Sequence, residues 1–319
     1  MAAEGVNAAE TLAPRRRAAR WKLYLALSRT PHGLLDMAAP FAAALLWLGR
    51  APAPGVGLLG VITVFAAYTA VYAVNDLVDF RTDRDGLAAW GHGQAGYLDA
   101  VFARHPLAQG LITWPEALAW TGFWGLVALL GAYILNPACA GLILFGVGLE
   151  AVYCGLLKIT HLRALVNGAV KTLGGVGGIL AVDPKAPWWF LGLYFVTVFA
   201  WEIGGQNIPA DWFDLETDRT QGARTMPVAL GTNKAARIAL GCQALTALGA
   251  LGLLALSPAG FPSWLVALGT GICALLLVLP AWRLNLDPGR ERAATLFNLS
   301  SYFPLVLLGL TVFWLCVRP

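Results

Sequence analysis

Nine apolar stretches follow one another along the chain, separated by shorter polar segments. They lie at roughly residues 24–48, 56–79, 115–135, 137–157, 164–182, 187–210, 234–256, 261–282 and 294–316. Each is close to the roughly 20 residues that an α-helix needs to cross the hydrocarbon core of a bilayer. The pattern therefore predicts an all-α, polytopic membrane protein with about nine transmembrane helices around a central cavity.

The composition supports this class and excludes others. Of the 319 residues, 58% are hydrophobic and only 13% are charged, which is too apolar for a soluble domain of this length. The net charge of +4 is spread over loops and is not gathered into a stripe, so no nucleic-acid partner is expected. The lipid bilayer is the expected environment.

The basic residues also predict an orientation. With a cytoplasmic N-terminus, seventeen Lys and Arg residues fall on the cytoplasmic side and three on the other face. An excess of this kind is typical of cytoplasmic loops. We therefore expect a multi-pass protein of the cell (inner) membrane, with residues 1–22 as a basic cytoplasmic tail and residues 23–319 as one transmembrane domain. Two longer cytoplasmic loops, 80–114 and 211–233, are expected to cap a site.

Two aspartate clusters share one spacing, i, i+3 and i+7, and each stands at the end of an apolar stretch. The first cluster is Asp76, Asp79 and Asp83, preceded by Asn75; the second, 135 residues later, is Asp211, Asp214 and Asp218, preceded by Asn207. On an α-helix, this spacing places three carboxylates within an arc of roughly 60°. Three adjacent anions near lipid require a cation, and Mg²⁺ prefers oxygen ligands. The clusters are therefore interpreted as two halves of one metal site.

The separation of 135 residues corresponds to four predicted helices. An even number of helices restores the same orientation in the membrane. Helices 1–4 and 5–8 are therefore a candidate parallel internal repeat, with the ninth helix added. A functional site is expected where the two halves meet.

Several ionisable residues lie inside the predicted helices, where they are costly unless they are paired or face a cavity. Lys171 is expected to pair with Glu150 or Glu202, or to contact substrate. His32 and Asp36 lie one turn apart on the first helix, and either a polar cavity contact or a satisfied core pair fits them.

The motif Asn75-Asp76-x-x-Asp79-x-x-x-Asp83, together with Asp214-x-x-x-Asp218, resembles the UbiA superfamily of intramembrane prenyltransferases. The resemblance extends over nearly the whole chain. It implies nine helices and two motifs that hold Mg²⁺ on the diphosphate of an isoprenoid donor. It implies Mg²⁺ ligation by Asn75, Asp79, Asp83, Asp214, Asp218 and Asn207, with Asp76 and Asp211 as catalytic residues that bind the metal directly or support its ligands.

Further elements of the family pattern are present. Arg224-Thr225-Met226-Pro227 resembles the basic-Thr-Leu-Pro segment, and Arg29 stands at the family's Arg-Pro entrance to the first helix. Arg104 begins an element in which His105 occupies the usual arginine position. Together with Arg163, these arginines are the implied diphosphate contacts.

Tyr153 and Lys158 resemble the family's Tyr-x-x-x-Lys element, and both are implied catalytic residues. Here four residues separate them instead of three. On a continuous helix, the two side chains would lie about 140° apart. This spacing favours Lys158 over Tyr153 as the site residue.

The resemblance implies Mg²⁺-dependent transfer of a prenyl group from a polyprenyl diphosphate to an aromatic or other lipophilic acceptor, with release of pyrophosphate. Two alternatives within the superfamily stay open: a phosphoribosyl diphosphate:polyprenyl-phosphate transferase and a membrane terpene cyclase. A cation-coupled transporter is a remoter alternative, because its charges would line a pathway across the membrane.

Overall fold

The computed structural model describes residues 13–86, 103 and 105–318, and within these residues the secondary structure is entirely helical. The predicted tail is therefore described only in part. Arg104 and most of the first predicted cap loop lie outside the described residues. The all-α prediction is confirmed.

The helices of the first half are α1 (Ala13–Leu27), α2 (Thr30–Asp36), α3 (Ala38–Leu48), α4 (Pro54–Val78), α5 (Phe80–Gly86), α6 (Trp114–Leu135) and α7 (Pro137–Gly155). Proline stands in the first turn of α4, α6 and α7, where its missing N–H has no helical partner to lose. Glu116 accepts hydrogen bonds from the backbone N–H and hydroxyl of Thr113 and completes the start of α6.

The second half begins with α8 (Arg163–Val182), α9 (Trp188–Trp201), a π-helical segment (Glu202–Asn207), α10 (Ile208–Phe213), α11 (Leu215–Gln221) and α12 (Met226–Leu230). It continues with α13 (Thr232–Ala255), α14 (Ser263–Cys273), a second π-helical segment (Ala274–Val278), α15 (Leu279–Leu286), α16 (Arg290–Ser300) and α17 (Phe303–Val317).

In the described part of the chain, seven helical stretches are long and apolar enough to cross a membrane. The two other predicted spans, 24–48 and 187–210, are divided into shorter pieces. The first is interrupted at Arg29, which adopts a left-handed φ of 43°, and the second by the π-helical segment. The number of nine spans and the internal repeat stay predictions.

Small residues let the helices approach closely. Helix α8 packs against α3, α7 and α9, while α4 packs against α6. A Cβ atom on Gly178 would collide with the carbonyl of Pro40 on α3, and one on Gly131 would collide with Thr63 on α4. Glycine at these positions therefore sets the distance between neighbouring helices in the bundle.

Candidate active site

Each aspartate cluster spans a one-residue interruption between two helices. Asp79 lies between α4 and α5 with φ −83° and ψ 0°, and Asp214 lies between α10 and α11 with φ −99° and ψ 10°. The N–H of Asp83 donates to the Asp79 carbonyl at 2.8 Å, and that of Asp218 donates to the Asp214 carbonyl at 2.7 Å. The chain therefore bends at the middle aspartate in both halves while the i, i+4 hydrogen bond is kept.

The two clusters line one polar pocket of about 210 Å³. Its carboxylates and amide come from both halves of the chain: Asn75, Asp79, Asp83, Asp211, Asp214 and Asp218. The arrangement matches the interpretation of the clusters as two parts of one site. Thr225, which follows Arg224 in the sequence motif, also lines this pocket and donates a hydrogen bond of 3.1 Å to Asp218 Oδ2.

Two arginines contribute positive charge to the same pocket. Arg29 Nη2 lies 3.8 Å from Asp76 Oδ1, and the left-handed backbone at Arg29 directs the chain between α1 and α2 at this point. The guanidinium of Arg163 lies 4.0 Å above the ring centre of Tyr153. Arginine in such positions can donate paired, charge-assisted hydrogen bonds to phosphate.

His105 is the feature that the sequence patterns did not assign to the site. Its Nδ1 lies 2.8 Å from Asp83 Oδ2 and 3.2 Å from Asp76 Oδ1. Burial lowers the pKa of His105, but the hydrogen bonds to the two carboxylates outweigh burial and raise it overall. These three residues present ligand atoms close enough to share a metal ion. The only signal in the sequence was a histidine at the position where the family has arginine.

The carboxylates of the pocket carry more negative charge than the protein alone balances. Burial, followed by repulsion from Asp83, raises the pKa of Asp79 to about 6. Burial also raises the pKa of Asp211 to about 7, and Asp218 and Asp214 add repulsion while Arg163 opposes them. An added cation would relieve this cost.

The residues present fit Mg²⁺. In the described part of the chain, Asn75 Oδ1 and Asp76 Oδ2 are buried and have no hydrogen-bond partner. Buried polar oxygens of this kind are costly unless a ligand or ion satisfies them. Hard oxygen donors, several of them carboxylates, are the set that Mg²⁺ prefers.

Two residues of the predicted aspartate and asparagine clusters lie apart from the lining of the pocket. Asp76 is buried behind it, between Arg29 and His105. Asn207 is directed elsewhere: its Oδ1 accepts from Asn167 at 3.0 Å, and its Nδ2 donates to Glu202 Oε1 at 3.0 Å. The π-helical segment that ends at Asn207 changes the register of this helix, so Asn207 does not take the place that Asn75 has in the first cluster.

The structure places Tyr153 in the pocket and Lys158 outside it, the reverse of the preference derived from spacing. The physical reason is that α7 ends at Gly155, so the angle expected for a continuous helix does not apply at Lys158. Arg224 is also exposed and outside the pocket. Its backbone N–H donates to the Leu157 carbonyl at 2.8 Å, and its Nη1 donates to the Ile159 carbonyl at 3.2 Å.

Deeper between the helices lies a central polar cluster, formed by Asp36, Tyr72 and Lys171. Lys171 Nζ donates to Asp36 Oδ2 at 2.7 Å and to the Tyr72 hydroxyl at 2.6 Å, and the Tyr72 hydroxyl itself donates to Asp36. The expected pairing of Lys171 with Glu150 or Glu202 is therefore corrected. Glu202 Oε1 instead accepts hydrogen bonds from Asn167 Nδ2 at 3.4 Å and from Asn207 Nδ2 at 3.0 Å.

An apolar cavity of about 560 Å³ lies beside this cluster, between α3, α4, α6, α7 and α8. Its walls are almost entirely aliphatic side chains and glycine. Tyr68 and Lys171 also line it. The ring of Tyr68 stacks with that of Tyr72 at 6.4 Å, and Arg29 lies 5.9 Å from the centre of the Tyr72 ring. A continuous set of side-chain contacts therefore joins the apolar cavity to the polar pocket.

Comparisons with known proteins identify the family to which this chain is similar. A profile of the UbiA prenyltransferase family matches residues 37–302. A 4-hydroxybenzoate octaprenyltransferase of Tolumonas auensis is 29% identical over 248 residues, which cover 75% of this chain and 77% of the relative. The apo structure of a UbiA homologue from Aeropyrum pernix superposes with a TM-score of 0.71 at 21% identity, covering 88% of this chain and 97% of the other. A UbiA homologue from Archaeoglobus fulgidus bound to GPP and Mg²⁺ superposes with a TM-score of 0.65 at 18% identity, covering 92% of this chain and 100% of the other.

Proposed function

Because the chain belongs to the UbiA prenyltransferase family, we propose that it transfers a prenyl group from an isoprenoid diphosphate to a lipophilic acceptor and releases pyrophosphate. The observation that carries the proposal is the polar pocket, where carboxylates from both clusters and two arginines lie beside an apolar cavity. The two parts of an isoprenoid diphosphate match these two spaces: the diphosphate suits the polar pocket, and the hydrocarbon chain suits the apolar cavity.

Breaking the allylic C–O bond leaves negative charge on the departing pyrophosphate, and catalysis requires that this charge be stabilised. Mg²⁺ held by Asn75, Asp79, Asp83, Asp214 and Asp218 would neutralise it. The structure of the homologue from Archaeoglobus fulgidus supports this ion, since it contains Mg²⁺ together with GPP.

The protein's own residues supply the remaining functions. Arg29 and Arg163 both line the polar pocket, where their guanidinium groups can donate hydrogen bonds to phosphate oxygens. Tyr153 and Arg163 support each other by stacking, which fixes the guanidinium. The apolar cavity keeps water away from the allylic carbon, where water would otherwise capture the prenyl group.

We further propose an aromatic or otherwise lipophilic acceptor. The relative from Tolumonas auensis is named for 4-hydroxybenzoate, an aromatic acceptor. The apolar cavity would take such a molecule beside the prenyl chain of the donor, because ligand sites of several hundred Å³ with apolar walls and a few polar groups are typical for small lipophilic ligands. The distribution of basic residues supports an inner-membrane protein with the polar pocket on the cytoplasmic side.

The test uses purified protein in lipid nanodiscs with geranyl diphosphate, Mg²⁺ and 4-hydroxybenzoate. Pyrophosphate release is measured by a coupled assay, and the prenylated product by mass spectrometry. Asp79→Asn with Asp214→Asn serves as the inactive control.

Two results would contradict the proposal. Pyrophosphate release from phosphoribosyl diphosphate with polyprenyl phosphate, but not from geranyl diphosphate, would indicate the phosphoribosyl transferase. A cyclised hydrocarbon formed without any acceptor would indicate the cyclase.

A further inference from the structure

The central polar cluster is neutral overall but is costly to bury. Asp36 is 4% exposed, and its carboxylate is paired with the ammonium of Lys171 at 2.7 Å. Burying an ion pair removes two charges from water, and the attraction between them often does no more than offset that cost. Packing alone is therefore a weak reason for placing Asp36 and Lys171 between membrane helices.

Part of this cluster faces a space that a ligand can enter. Lys171 is the one charged side chain that lines the apolar cavity within the described residues, and its side chain is 16% exposed. Its ammonium has three N–H groups, and the bonds to Asp36 and Tyr72 use two of them. One N–H is left over for an additional acceptor of hydrogen bonds.

A second polar group lies nearby. Tyr68 also lines the apolar cavity, and its hydroxyl forms no hydrogen bond to any residue that the structure describes. Lys171 Nζ lies 5.9 Å from the centre of the Tyr68 ring, so both groups belong to the same part of the cavity wall. Tyr68 is half-buried, and its hydroxyl can both donate a hydrogen bond to a ligand in the cavity and accept one from it. The remaining wall offers hydrocarbon and almost no competing polarity.

We propose that Tyr68 and Lys171 form a recognition site for the oxygen function of the lipophilic acceptor, a phenol, enol or carbonyl group, with Asp36 and Tyr72 holding the ammonium in place. The identity of this ligand as the acceptor rests on the proposed function. The diphosphate is not the ligand, because Lys171 lines the apolar cavity and not the polar pocket. Tyr68 and Lys171 bind the acceptor, whereas Asp36 and Tyr72 are positioning residues.

The position of this site suits the reaction. Tyr72 connects it to Arg29, which lines the polar pocket, so an acceptor held at Lys171 lies next to the end of the donor that carries the diphosphate. Its hydrocarbon part would remain in the apolar cavity. The site would thus select acceptors that carry an oxygen function at one end of an apolar body.

A matched pair of probes tests the inference without turnover: 4-hexylphenol and hexylbenzene, which differ only in the hydroxyl group. Binding is measured by equilibrium dialysis of protein-containing nanodiscs against empty nanodiscs of the same lipid, so that partition into lipid is subtracted. The wild type is expected to bind 4-hexylphenol at least about 10-fold more tightly than hexylbenzene, since two hydrogen bonds of modest net strength are gained.

Tyr68→Phe removes one hydroxyl and keeps the ring, so it should lower 4-hexylphenol affinity about 3-fold or more and leave hexylbenzene binding unchanged. Asp36→Asn with Lys171→Gln removes both charges together and should abolish the preference for the phenol. Tyr133→Phe, at an exposed tyrosine of α6, is the matched control and should have no effect.

An undiminished preference for the phenol in both Tyr68→Phe and the double variant would overturn the inference, as would the absence of a preference in the wild type. Geranyl diphosphate binding with Mg²⁺ is measured on the same samples. If the wild type does not bind geranyl diphosphate, the proposed function is refuted instead, because that measurement does not involve the phenol.

Discussion

The ammonium of Lys171 donates to the carboxylate of Asp36 across 2.7 Å, and the two residues are 135 positions apart in the chain. The two aspartate clusters are separated by the same number of residues. The ion pair therefore joins corresponding positions of the two predicted halves, as would be expected near the axis of a parallel repeat. It also links α2 to α8 between the polar pocket and the apolar cavity.

Because Asp36 and Lys171 are paired, removing one of them should destabilise the folded protein more than removing both. Asp36→Ala leaves the Lys171 ammonium buried without its partner and should destabilise the folded protein by about 3–5 kcal/mol. Asp36→Ala with Lys171→Met removes both charges and should recover most of that loss. Thermal unfolding in a single detergent measures both variants. A double variant less stable than either single variant would show that the pair is not the source of the effect.

A second prediction follows from the positions of Tyr153 and Lys158. Tyr153 lies in the polar pocket, where Arg163 stacks on its ring, whereas Lys158 lies outside the pocket. Arg163→Gln removes a guanidinium that lines the polar pocket, so turnover should fall at least about 10-fold, a loss expected for a charge-assisted contact with the leaving group. Lys158→Gln changes an exposed side chain outside the pocket and should stay within about 2-fold of the wild type. Pyrophosphate release at saturating donor compares them. A larger loss for Lys158→Gln would restore the role that the sequence spacing favoured.

The clusters were predictable from sequence because i, i+3 and i+7 spacing is a local property of helical geometry. The partners of Lys171 and His105 were not, because Asp36, Asp76 and Asp83 approach them only through tertiary packing. Asn207 and Lys158 do not line the polar pocket, for a related reason. A π-helical segment and an early helix end change the register locally, and an ideal helical period does not represent either change.

Metal removal tests the oxygen-rich pocket directly. Unbalanced carboxylates at Asp79 and Asp211 should leave the protein unable to stabilise pyrophosphate without a cation. We expect pyrophosphate release from geranyl diphosphate to stop in excess EDTA and to return when Mg²⁺ is added beyond the chelator. Undiminished release in EDTA would contradict Mg²⁺ dependence.

Orientation in the membrane is testable with single cysteines in a background that lacks the native ones. Glu216→Cys, in α11, should react with a membrane-impermeant thiol reagent only after the membrane is opened, because the distribution of basic residues predicts that this side faces the cytoplasm. Lys185→Cys, between α8 and α9, should react in intact cells. Both residues are exposed, so a cysteine that does not react would be inaccessible because of the membrane and not because of burial in the protein. The opposite labelling pattern would place the polar pocket on the outer face.

The last prediction concerns whether the two clusters act as one unit. Asp79 and Asp214 hold equivalent positions at the two helix interruptions and line the same polar pocket. If a diphosphate is held from both sides, losing either carboxylate leaves the leaving group poorly stabilised while its full charge still has to develop. Asp79→Ala and Asp214→Ala should therefore each lower turnover at least about 10²-fold, as expected for one preorganised electrostatic group.

Because the two residues act on the same charge, the double variant should be scarcely worse than either single variant. Turnover is measured at saturating Mg²⁺ and donor, with thermal unfolding as a check that all three variants fold. Losses that multiply would mean that the clusters contribute independently. Near-normal turnover in Asp214→Ala alone would mean that the second cluster is a structural remnant of the repeat, and the shared pocket would then have to be explained by packing.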